Sequence, residues 1–180
     1  DPEALVKLPA ILADGLLVFA TARLAADLGA PRRAQIVAAL AMALGPMIWL
    51  DSAVWGQVDS IGTAALLFSL SALIRGKTVR GAILAALAAV LKPQFGILIP
   101  IVGVLAFVRA RSARDPWAFV VAGLAGAATV ALAALPFGLT LPDVLAKIAE
   151  AAGGYPHLSV NAWNPWALIT VGGRAVVDAS

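Results

Sequence analysis

An all-α, polytopic transmembrane bundle is the fold class this sequence predicts. Three observations carry it: the apolar excess, the length of the uncharged windows, and the gathering of basic residues between them. Hydrophobic residues fill 62% of the 180 positions and charged ones 13%, against roughly half and a quarter in a soluble domain. Helices are the form expected for such windows, because lipid offers no water to backbone amides and an open strand edge would leave them unpaired.

The apolar stretches run over residues 8–28, 36–50, 61–74, 81–107 and 117–139. A bilayer core of about 30 Å asks for ~20 apolar residues per helix, and several windows approach that length. Ala and Gly dominate them, as close helix packing in lipid requires. Together they form a single transmembrane domain, residues 1–180, with an outer loop at 140–180. The chain reads as an internal piece of a longer protein, since it opens on Asp1 with no charged leader before a cleavable apolar segment.

The pI of 9.8 does not point to nucleic acid, because the basic residues sit in short clusters between apolar runs. Nine of the 13, namely Arg23, Arg32, Arg33, Arg75, Lys77, Arg80, Arg109, Arg111 and Arg114, fall in one set of connectors, and the positive-inside bias makes these cytoplasmic. Segments 51–60, 92–94 and 140–180 then face the extracytoplasmic side of the inner membrane. With no cysteine, neither a disulfide nor a thiolate metal site is open to the chain, and no metal ligands are proposed.

Residues 81–91 and 95–107 make arms of ~17 and ~20 Å at 1.5 Å per residue, each short of a full span. A short broken hairpin with Lys92, Pro93 and Gln94 at its tip keeps Arg109–Arg114 on the basic side, whereas one long kinked helix would not. Broken backbone at that depth needs protein or a water-filled cavity around it, so the tip predicts a cavity.

Lys92 is the most informative residue. An ionisable group inside an apolar segment is by default a functional hypothesis, and its ammonium suits a phosphate, with Gln94 beside it as donor and acceptor. The structural alternative is a lysine reaching to the interface from a helix end. Residues 49–60 bring Asp51, Trp55, Gln57 and Asp59 into one outer turn. They suit a sugar, with carboxylates for hydroxyls and an indole for the pyranose face, and they equally suit an aromatic belt with capping aspartates. Residues 141–152 have the pattern of an interfacial helix on the outer face. After it, Tyr155, His157, Asn161, Trp163 and Asn164 interleave stacking surfaces with neutral hydrogen-bonding groups, a composition fit for carbohydrate, and His157 reads as a binding residue before a base. Lys7 and Asp14 form a further outer patch, Asp14 facing either Lys92 or a neighbouring helix.

In that order, Lys7-Leu8-Pro9-Ala10-Ile11-Leu12-Ala13-Asp14, Trp55-Gly56-Gln57-Val58-Asp59-Ser60, Leu91-Lys92-Pro93-Gln94 and Ser159-Val160-Asn161-Ala162-Trp163-Asn164-Pro165-Trp166 resemble bacterial glycosyltransferases of the GT-C type related to the GPI-anchor mannosyltransferases. The resemblance implies an integral membrane hexosyltransferase. It would move a sugar, mannose in the family, from a polyprenyl-phosphate donor to a glycan, lipid or protein acceptor on the extracytoplasmic face. It implies donor-phosphate contacts at Lys92 and Gln94, and a catalytic base in a first outer loop upstream of residues 7–14, not at Asp51 or Asp59. No cofactor follows beyond the lipid-linked sugar itself, and dependence on a divalent metal stays open. The rival reading is a transporter with a broken-helix substrate site at Lys92; polar groups on one face and short basic connectors on the other favour the enzyme.

Overall fold

The computed structural model of the protein describes residues 2–153 together with 170–171 and 174–175. Two compact units make it up, Asp1–Gly138 and Leu139–Ser180, and each is described by itself.

The first unit is all helix. In order it holds α1 (Pro2–Asp27), α2 (Arg32–Ala43), α3 (Pro46–Trp49), a π-helical turn (Leu50–Trp55), α4 (Asp59–Ile74), α5 (Thr78–Leu91), a 3-10 segment (Pro93–Leu98), α6 (Ile99–Ser112) and α7 (Pro116–Ala134). Three helical stretches are long and apolar enough to cross a membrane: Lys7–Asp27, Pro93–Ser112 and Pro116–Phe137. The pair Arg32–Ala43 and Pro46–Trp55, bent by 42°, passes the same test as one broken span. Gly45 and Pro46 mark that break, since proline opens a helix and cannot continue one.

Packing follows the membrane rule that small residues go inside. Buried positions are mostly Ala, including Ala10, Ala13, Ala20, Ala64, Ala85, Ala88 and Ala106, together with Ser52, Ser60, Ser69 and Ser71; Phe19, Leu12, Leu44, Leu124 and Trp117 stand exposed. Large apolar side chains turned outward suit a lipid surround, and small ones inward let backbones approach. Leu17, Ala20 and Ala64 form one buried cluster, flanked by Met42, Ile48 and Phe68. Leu73, Ala85, Val102 and Ala106 form another.

The second cluster fixes the course of the chain around Lys92. Ala85 precedes Lys92 and Val102 and Ala106 follow it, and α5 packs on both the 3-10 segment and α6. The chain therefore reverses at Lys92, whose own backbone is extended (φ −153°, ψ 117°), as a residue before proline prefers. The two stretches that meet there differ in length. The α5 arm has 14 residues, but Pro93–Ser112 runs 20, because Pro93 starts a 3-10 turn at once and the helix continues through Arg109 and Arg111.

Tight glycine contacts set the spacing of α4, α5 and α7. A Cβ on Gly81 would lie 2.7 Å from Leu73 Cγ, and Gly81 O accepts a 2.7 Å hydrogen bond from buried Ser69 Oγ. Gly126 of α7 faces Ala82 more loosely, since a Cβ there would lie in ordinary van der Waals contact at 3.6 Å from Ala82 O. Asp115 caps α7 by accepting from Ala118 N at 3.2 Å, with Pro116 in the first turn.

The second unit holds α8 (Leu141–Gly153) and a minimal antiparallel ladder, β1 (Thr170–Val171) with β2 (Arg174–Ala175), Thr170 opposite Ala175. Thr140 and Asp143 close the start of α8: Asp143 Oδ2 accepts from Thr140 Oγ1 at 2.5 Å and from Thr140 N at 2.8 Å. Lys147 and Glu150 pair at 2.9 Å on its exposed surface.

Two predictions follow from these contacts. Gly81→Ala should destabilise the first unit by about 1–3 kcal/mol, the range for overpacking a filled interior, read as a lower unfolding midpoint in detergent. The bonds from the Thr140 hydroxyl and then its amide hold the Asp143 carboxyl below the ordinary carboxylate value. The cap is therefore complete above that ordinary value and is lost as pH falls through the depressed one. The protection factor for hydrogen exchange at the first turn of α8, which removes the intrinsic pH dependence of exchange, should be unchanged from neutral to mildly acidic pH and fall only below it, and Asp143→Asn should remove that acid dependence.

Candidate functional site

The polar residues of the first unit collect around two parts of α1, its first half and its C-terminal end. Asp14 lies near the middle of the helix, where a carboxylate must find partners away from water. Each of its oxygens accepts a serine hydroxyl: Oδ2 from Ser52 Oγ and Oδ1 from Ser60 Oγ, both at 2.5 Å. Ser52 belongs to the π turn and Ser60 to the first turn of α4, and both are buried. Of the two partners left open for Asp14, Lys92 or a neighbouring helix, the second holds. One carboxylate ties α1 to the π turn and to α4.

Lys92 instead reaches Asp59 and Gln57. Its Nζ stands 2.7 Å from Asp59 Oδ1 and 3.2 Å from Gln57 Oε1. The ammonium and the Asp59 carboxylate keep 27% and 39% of their surface open, so the pair is half-buried and remains accessible. Phe95 fixes the tip that carries Lys92. Its ring lies so close over Gly62 of α4 that a Cβ there would come within 2.0 Å of Cε2. Only a glycine admits that ring, and the ring sets the distance from the hairpin turn to Asp59, three residues before Gly62 in α4.

The π turn supplies the rest. Its extra residue per turn widens the helix, and it ends at Gly56 in the left-handed region (φ 72°), where Gly pays no steric cost. A Cβ on Gly56 would lie 3.4–3.9 Å from the aliphatic carbons of Lys7, and Lys7 Nζ donates to Val54 O at 3.0 Å. Asp51 is half-buried in this turn, with Asp59, Lys92 and Asp14 as its charged neighbours. Trp55 projects its indole outward, 79% exposed.

Lys7, Asp14, Asp51, Gln57, Asp59 and Lys92 thus come together beside the first half of α1 and the start of α4, with Trp55 at the edge. Gln94 stands exposed in the 3-10 segment without a side-chain hydrogen bond among the described residues. Tyr155, His157, Asn161, Trp163 and Asn164 lie outside the described residues. Sequence reasoning missed Ser52 and Ser60; the only signal was their place at the two sides of the Trp-Gly-Gln run, with apolar residues around. It also missed Asp27, at the opposite end of α1, where Arg23, Arg75 and Ser71 converge. Among the described residues no three His, Cys, Asp or Glu side chains are grouped so as to hold a metal ion.

The chain belongs to glycosyltransferase family 87, whose family model matches residues 2–169. No curated protein and no solved structure matches it. The family makes the chain a membrane glycosyltransferase, and the match takes in every cluster described above.

Gly62→Ala should displace Phe95 and with it the hairpin turn. The expected result is a loss of transferase activity in the full-length protein larger than its loss of thermal stability. Phe95→Leu combined with Gly62→Ala should recover part of that activity by vacating the space a Cβ needs.

Proposed function

We propose that this chain forms the donor site of an enzyme that moves mannose from a polyprenyl-phosphate carrier to an acceptor hydroxyl on the extracytoplasmic face of the inner membrane. The observation that supports it most is the Lys92 ammonium. It is set at the turn of a broken hairpin within apolar helices, held by Asp59 and Gln57 and still partly open. A cation so placed suits the phosphate of a lipid carrier, whose tail stays in the bilayer while its sugar reaches the polar end.

In this reading the acceptor oxygen attacks the anomeric carbon as its proton passes to a base. The bond from that carbon to the phosphate oxygen breaks, and its electron pair leaves with the polyprenyl phosphate. Lys92 stabilises the charge that develops on the phosphate, an effect strengthened where water is scarce. Gln57 and Asp59 orient the ammonium, and Gln94, two residues on and exposed, is in reach of the carrier. Asp51 and Trp55 offer a carboxylate and an apolar platform to the sugar, while Lys7 and Asp14 support the turn that carries them. The resemblance to GPI-anchor mannosyltransferases puts the base in an outer loop upstream of residues 7–14. Tyr155, His157, Asn161, Trp163 and Asn164, which interleave stacking surfaces with neutral hydrogen-bonding groups, suit acceptor or sugar binding.

Lys92→Ala in the full-length protein should lower turnover with polyprenyl-phosphate mannose by about 100-fold or more, the cost typical of removing one preorganised electrostatic contact. Membrane insertion and unfolding temperature should stay close to the parent, and Lys92→Arg should keep part of the activity. Unchanged turnover in Lys92→Ala would take the residue out of the donor site.

A further inference from the structure

The opposite end of the same helices carries a second site with its own chemistry. A cavity of about 200 Å³ opens there between α1, α4 and the start of α5, lined by Phe19, Arg23, Phe68, Arg75, Lys77 and Arg80, with Ser71 and Ala72 at its base. That is several times the ~30 Å³ share of one water molecule, room for a phosphate group and the atoms that carry it. Asp27 engages two of the four cations, through Arg23 Nε and Arg75 Nε at 3.3 Å each, and also accepts from Ser71. Its carboxylate is 9% exposed, so it serves as internal counter-charge. Lys77 and Arg80 have no carboxylate within ion-pair distance among the described residues, and both side chains are exposed.

The cavity is therefore positive, and one of its walls is apolar. Phe19 and Phe68 lie with ring centroids 6.1 Å apart. Phe19 is 59% exposed and lies within the candidate span Lys7–Asp27, roughly 12 Å of helix before Asp27. A ligand that fits carries a negative head against Lys77 and Arg80 and an apolar body along the phenyl rings. Free phosphate satisfies the first requirement only.

The geometry points to a binding site for an anionic phospholipid headgroup at the basic end of the bundle, distinct from the Lys92 cluster. Lys77 and Arg80 contact the phosphate, Arg23 and Arg75 border it from their pairing with Asp27, and the acyl chain lies over Phe19. An ordered lipid at this place fastens the junction of α1 with α4 to the membrane surface.

Native mass spectrometry of the full-length protein in detergent, with phosphatidylglycerol or phosphatidylcholine added, tests the assignment. Wild type should retain phosphatidylglycerol in preference to phosphatidylcholine. The Lys77→Gln/Arg80→Gln double variant should lose retention of phosphatidylglycerol by roughly tenfold or more, as expected for two basic residues at an anionic headgroup. Retention indifferent to the two substitutions, as when another part of the protein fills the cavity, would overturn the site. Inorganic phosphate that displaces the lipid at equal concentration would overturn the lipid assignment in favour of a free anion. If the double variant does not fold, Phe19→Trp serves instead. Its added fluorescence should be quenched more by brominated phosphatidylglycerol than by brominated phosphatidylcholine, and equal quenching overturns the proposal.

Discussion

Asp14 and Asp27 sit on one helix, roughly 20 Å apart along its axis at 1.5 Å per residue, and each finds its hydroxyl partners on or beside α4. Asp14 takes Ser60 and Ser52; Asp27 takes Ser71. Because both pairings advance in the same direction along the two helices, they fix α1 and α4 as parallel neighbours in a definite register. Slipping that register would strand a carboxylate among apolar side chains, where an unpaired polar group costs several kcal/mol. Dispersion between Ala-rich surfaces has no comparable preference, so the two carboxylates define the pairing that the rest of the first unit builds on.

From that pairing the other placements follow. With Ser60 held at Asp14, the start of α4 presents Asp59 and Gly62 to the hairpin turn. Gly62 admits Phe95, and Phe95 brings Lys92 to Asp59. The π turn is tied at Ser52 and ends at Gly56, under Lys7. Its widened backbone presents Asp51 toward the Lys92 pair and leaves Trp55 open. The polar end is thus assembled from α1, the neighbouring π turn and α4, and the α5–α6 reversal, three regions far apart in sequence.

The same helices present a different surface at their other end. There a single carboxylate, Asp27, faces Arg23 and Arg75, with Lys77 and Arg80 close by around a cavity. Charge therefore divides along the helix axis. Carboxylates outnumber cations in the Lys92 cluster, and cations outnumber carboxylates at Asp27.

Hydropathy and small-residue content, properties of the sequence alone, determined that this chain is a membrane bundle, that its backbone breaks at Lys92-Pro93, and that Lys92, Asp14 and the 51–60 segment are its polar groups among apolar surroundings; the break at Gly45-Pro46, inside a run read as one stretch over 36–50, was not seen. These are local properties: an apolar window, a proline, or a charge in lipid acts on its own surroundings whatever packs beside it. Partner choice was not legible. Asp14 was left between Lys92 and a neighbouring helix, and Ser52, Ser60 and Asp27 gave no sign of their roles, because a serine in an apolar run reads the same whether its hydroxyl bonds its own helix or a neighbour's carboxylate. Helix rotation and register decide that, and only the tertiary structure sets them. It gave Asp14 to two serines and Lys92 to Asp59, since each buried group must be satisfied at once and one arrangement of α1, α4 and the hairpin does so.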